Sequence, residues 1–250
     1  MGNQLIALGF VLVGAMSLAL FSLQRRRESQ EQHVTPVFQA FEREVGRVAE
    51  EGAAIHVALG SGGLLDEKGM VSVAALHGLS GMLELSAAYD TPPYITTGDA
   101  TLFLLAENRL RDAYARLGDI RNYTAGSVRF VAPTPVLYAA MAATLSSDEA
   151  LGTSISLGAF DQEVSLLTHA ATRRGTTMFG GAVTAPGLAA LYPDLDDQHL
   201  VMGEELFTAG AEILGRPTFW GGLKAENLLR WLVIVGIVAA IAASLLGIGG

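Results

Sequence analysis

The hydrophobic pattern of the chain opens with an unbroken apolar run, Leu5 to Leu23, which is closed by Arg25, Arg26 and Arg27. As a helix that run is about 28 Å long, close to the hydrocarbon thickness of a bilayer. A second run of the same kind, Trp231 to Ile248, follows Lys224 and Arg230. Both runs predict transmembrane helices. Their basic flanks lie on the inner side of the sequence, so the positive-inside rule predicts a cytoplasmic centre with both termini outside, in the cytoplasmic (inner) membrane. A cleavable leader would carry its basic residues before the apolar stretch rather than after it.

Between the runs the periodicity changes twice. Thr35 and Pro36 read as a helix start, and Val37, Phe41, Val45 and Val48 recur on one face, which predicts an amphipathic helix to about Glu51. It can pack on the domain that follows or on a neighbouring copy. From Ala54 onward, short apolar bursts alternate with helical stretches, the pattern of a parallel α/β sheet. Strands are predicted at Ile55–Leu59, Tyr94–Thr97, Val128–Ala132, Thr153–Leu157, Thr176–Phe179 and His199–Met202. The clearest helix runs from about Ala100 to Leu117, capped by Asp99, stopped by Gly118, and carrying Glu107/Arg111 and Asp112/Arg116 at pairing distance on its outer face. The expected fold is a mostly parallel, Rossmann-like sheet of about six strands with helices on both faces. The expected organisation is a transmembrane helix at 1–24, a juxtamembrane linker and helix at 25–52, the α/β domain at 53–223 and a second transmembrane helix at 224–250.

Composition narrows the chemistry. No cysteine occurs, so disulfides, thiolate catalysis and cysteine-bound zinc are excluded. Between Glu28 and Leu223, 11 basic residues face 24 acidic ones, which argues against a nucleic-acid partner. Lys68 and Lys224 are the only lysines, and no two of the five histidines are spaced as a metal pair.

In open parallel sheets ligands bind beyond the carboxyl ends of the strands, so the loops there hold the candidates. These are Ser61, Gly62 and Gly63 after the first strand, Thr97 and Asp99 after the second, Thr134 after the third, Asp161 after the fourth and Glu204 after the sixth. The fifth loop is read as Gly180-Gly181 with Thr184. The glycine loop lacks the G-x-G-x-x-G spacing, and no G-K-[ST] occurs, so a tight strand-to-helix turn is its first reading. Asp99, Asp161 and Glu204, with Glu163 and Glu205, are oxygen donors suited to Mg²⁺ or Ca²⁺, and are equally suited to capping helices. No cofactor is identified beyond such a divalent cation.

Four segments carry a resemblance: VALGSGGL at 57–64, AYDTPPYITTG at 88–98, VRFVAPTP at 128–135 and VMGEEL at 201–206. Together they resemble an uncharacterised bacterial membrane-protein family, a domain of unknown function with an α/β region between terminal spans. The resemblance implies the architecture and transfers no catalytic or binding residue. The first expectation is thus a membrane-anchored module that self-assembles, scaffolds or senses a small ligand. Homo-oligomers would form through the small-residue faces Ala15/Ala19 and Gly236/Ala240/Ser244. The alternative is a cation-assisted hydrolase or transferase using the acidic rim of the sheet.

Overall fold

The computed structural model describes residues 36–206, apart from 92, 119, 122, 149 and 204. Both long apolar runs therefore lie outside the described residues, as do the Thr35 cap and Glu204. The first described element is helix α1, Pro36–Glu51, whose apolar stripe of Val37, Phe41, Val45 and Val48 is buried. Its partner is the sheet of its own domain: the Phe41 ring meets Phe179 edge-on, with centroids 5.7 Å apart. At its far end Arg47 donates to the Gly152 carbonyl at 3.1 Å while holding Glu44 and Glu51. Gly152 has to be glycine there, because a Cβ would lie 2.6 Å from a Val48 methyl.

Six parallel strands follow: β1 Ala54–Gly60, β2 Pro93–Thr97, β3 Val128–Phe130, β4 Leu151–Ala159, β5 Thr177–Ala182 and β6 Leu200–Met202. Their order across the sheet is β3-β2-β1-β4-β5-β6. Between them run α2 Gly69–Ala88, α3 Ala100–Arg116, α4 Pro135–Asp148, α5 Ser165–Arg174 and α6 Ala185–Leu191, with a 3₁₀ turn at Gln162–Val164. The chain winds outward from β1 in one direction and from β4 in the other, the doubly wound Rossmann-like order.

Register separates the two faces, because neighbouring strands align side chains of the same parity. Ile155 pairs with Val57 and Phe179, and Val57 with Ile95, so all four share a face, packed by α1, α2 and α3. His56 pairs with Tyr94 and Ser154, and Ser154 with Met178, on the opposite face, which α4, α5 and α6 cover. Among the described residues α2 is the one helix long and apolar enough to cross a membrane, but most of it is buried in the domain. Its apolar composition reflects burial: Leu79 and Leu83 are at most 1% exposed within the aliphatic core.

Three details depart from the sequence pattern. Gly180 and Gly181 lie inside β5 rather than in the loop after it. A Cβ on Gly180 would sit 2.7 Å from a Leu195 methyl, so this glycine answers packing and not a turn. On α3, Arg116 bonds Glu84 of α2 at 2.9 Å, and Glu107 accepts the Tyr123 hydroxyl. The expected pairs within α3 give way to partners from other segments. β4 runs from Leu151 through Ala159, because its two flanking neighbours extend the ladder beyond the short apolar burst.

Candidate functional site

The winding direction reverses between β1 and β4, and in open α/β sheets the crevice beyond the carboxyl ends of such strands is where ligands bind. Four loops meet there through glycines. Gly60 has φ 80°, a left-handed conformation that a side chain would strain. A Cβ on Gly62 would lie 2.5 Å from the Ala159 Cβ, and one on Gly98 would lie 2.9 Å from the Ser61 Cα and 2.3 Å from the Ala132 carbonyl. Beside Gly63 stands Asp99, whose Oδ2 is 3.0 Å from where a Cβ would be. Ser61, Gly62, Gly63, Thr97 and Asp99 are thereby brought together.

Asp161 completes the group from the other side of the switch point. Its Oδ2 accepts the Lys68 ammonium at 2.5 Å, which ties the loop after β4 to the loop after β1. The Lys68 hydrogen bond, with a further one from Thr184, holds the Asp161 carboxyl below its usual range. About a third of each side chain in the pair remains exposed. Asp66 closes the same loop from within, accepting the Gly63 amide at 2.6 Å and the Lys68 amide at 2.9 Å.

The remaining acidic candidates divide by role. Asp99 caps α3, its Oδ1 accepting the Leu102 amide at 2.8 Å, and Thr97 Oγ1 accepts the Asp99 amide at 3.2 Å. Glu163 is buried and accepts the Asp161 amide at 3.0 Å. Glu205 accepts the Met202 amide at 3.2 Å. Thr134 is exposed at the start of α4, where its carbonyl takes the Tyr138 amide, and its side chain bonds none of the crevice residues. Among the described residues no three histidine or acidic side chains are grouped to hold a metal ion.

Beneath the crevice a hydrogen-bonded line crosses the sheet. His56 is fully buried, with Nδ1 3.0 Å from Ser154 Oγ and Nε2 3.0 Å from Thr96 Oγ1. Thr96 Oγ1 is 2.8 Å from the Tyr138 hydroxyl, which also accepts the Gly60 amide at 3.3 Å and donates to the Thr96 carbonyl at 3.1 Å. One proton arrangement satisfies every group. Ser154 donates to Nδ1, Nε2–H donates to Thr96 Oγ1, and the Thr96 hydroxyl donates to Tyr138; the reverse sense leaves the Ser154 proton without an acceptor among the described residues. Burial pushes the imidazole pKa down to about 3 and the Tyr138 phenol up, so both stay neutral. Tyr138 therefore fixes the first residue of the crevice loop from the opposite face of the sheet.

Sequence reasoning missed Lys68 and Asp66, which organise the glycine loop, and Tyr138, which anchors it. Lys68 was findable, as one of two lysines and five residues beyond Gly63. Tyr138 was not, because the contact joins residues 78 positions apart.

The fold defines a doubly wound, Rossmann-like α/β module with its switch point between β1 and β4. The chain belongs to the family described as a domain of unknown function (DUF6754), which it matches over residues 2–249. No curated protein and no solved structure matches it.

Proposed function

We propose that the protein is a membrane-anchored α/β module that senses a small ligand in the crevice between the β1 and β4 loops. The observation that carries this reading is the Lys68–Asp161 pair, about a third exposed, which joins the loops after β1 and β4 at the point where open α/β sheets bind their ligands. An ion pair in this setting contributes little to stability, at most about 1 kcal/mol, so a ligand can rearrange it at small cost. Anchoring rests on the apolar runs at 5–23 and 231–248 and their basic flanks, which favour the inner membrane with the domain in the cytoplasm. Self-assembly through α1 is less favoured, since its apolar stripe is spent on its own sheet. Assembly through the small-residue faces of the runs stays part of the proposal.

The test is a set of thermal melts on the full chain in mild detergent, with nucleotides, sugars, amino acids, Mg²⁺ and Ca²⁺ as probes. One organic class should raise the melting temperature in a saturable way through preferential binding to the folded state, and Lys68→Met should weaken that response. Silence across the set would sink the sensing reading. A response to Mg²⁺ or Ca²⁺ alone, removed by Asp161→Asn, would move the preference to the cation-assisted hydrolase or transferase.

A further inference from the structure

A second concavity lies at the opposite edge of the sheet, where β5 and β6 begin. It is a cleft of about 280 Å³, near the lower end of the range for small-molecule sites. One wall carries four threonines, Thr168 and Thr172, one turn apart on α5, then Thr176 and Thr177 at the entry to β5. Thr168 is buried and donates to the Ser165 carbonyl and Thr177 bonds Glu44, so Thr172 and Thr176 supply the hydroxyls for a ligand. The other wall is the segment before β6, with Asp194, Asp196 and His199, and Met178 and Leu195 add apolar surface.

The chemistry of this lining selects its occupant. No lysine or arginine lines the cleft among the described residues, so a phosphate or carboxylate would meet no cation other than the histidine. The Asp194 carboxylate has no partner among the described residues. Asp196 accepts the Gln198 amide at 3.1 Å and faces His199 Nδ1 at 2.5 Å through Oδ1, and the His199 backbone amide adds to it. That contact fixes the His199 ring, which also lies tilted against Phe179 with centroids 4.8 Å apart. Glu44 of α1 bonds Thr177 beside the cleft, with its own charge paired to Arg47. The site sets threonines of α5 and the entry to β5 against carboxylates of the loop before β6.

We propose that this cleft binds a small hydroxylated amine, its ammonium taken by Asp194 and Asp196 and its hydroxyls by Thr172 and Thr176. Carboxylate–ammonium hydrogen bonds supply the stronger contacts, and the hydroxyl pairs supply orientation. The site is independent of the switch-point crevice, which lies at the other edge.

Isothermal titration of the full chain in mild detergent tests it, with glucosamine and serinol as probes and glucose as the uncharged control. At least one amine should bind saturably and glucose should not. Asp194→Asn should weaken binding about tenfold, the loss of one charge-assisted contact. Thr172→Val should weaken it less, and Lys68→Met should leave it unchanged. Asp194 is exposed and holds no other group among the described residues, so its variant should keep the wild-type melting temperature. Absence of saturable heat with both amines at millimolar concentration would overturn the proposal. So would binding that glucose matches, or that Asp194→Asn leaves intact.

Discussion

The two faces of the sheet are built from alternate residues of the same strands, yet they hold the molecule together in different ways. On the α1, α2 and α3 side, Ile55, Val57, Leu59, Ile95, Ile155 and Leu157 form an aliphatic layer, each at most 2% exposed. Its contribution scales with buried area and has no direction. On the other side the centre of the sheet is polar: Ser154, His56, Thr96 and Tyr138 are buried, and each depends on a specific neighbour. Such a line adds little net stability while complete and costs more when broken, since a buried group left alone loses its hydration as well. The first face supplies the bulk of the stability. The second fixes position, and it carries that positional information to Gly60 at the crevice.

The contrast breaks most visibly on the aliphatic side. Phe41→Ala removes a ring buried against Phe179 and should cost about 3–5 kcal/mol in chemical denaturation. The Gly60 amide, followed by hydrogen exchange under native conditions, should keep its protection relative to its neighbours. A smaller effect should come from acid. His56 is neutral in the fold with a pKa of about 3, whereas unfolded it titrates near 6.5. The unfolded state therefore binds the extra proton between these values, so stability is full above pH 6.5 and falls as the pH drops toward 3. The slope is about 1.4 kcal/mol per pH unit at most. His56→Gln should flatten the dependence between pH 6 and 4, as read from denaturation midpoints, and an unchanged slope would assign acid sensitivity to other groups. The smallest effect belongs to the rim: Asp99→Ala should cost about 1 kcal/mol, the usual loss of a helix cap, and both faces should remain intact by circular dichroism.

How much of this was legible in the sequence follows from the range of each interaction. The α1 stripe and the Asp99 cap were legible because they are local, repeating over three or four residues. Alternation of apolar bursts with helices gave the α/β class and placed six strands within a few residues of their observed limits. Strand order was beyond reach, because pairing β1 with β4 joins segments about a hundred residues apart that carry no mutual signature. Glycines misled where packing, rather than a turn, required them, as at Gly180 between Leu191 and Leu195. At the carboxyl ends of the strands the sequence singled out Asp161, which the structure pairs with Lys68. It did not supply that carboxylate's partner, since an ion pair between residues 93 positions apart follows from topology alone.

Asp66 has a consequence for selectivity. Its carboxylate fills the Gly63 and Lys68 amides from three and two residues away. A tethered group of this kind acts at a high effective concentration, about millimolar or above even for loose tethers, so a free anion must compete with a rival that cannot diffuse away. A ligand of the kind proposed for this site would have to gain contacts elsewhere to displace Asp66, since the two amides are already filled.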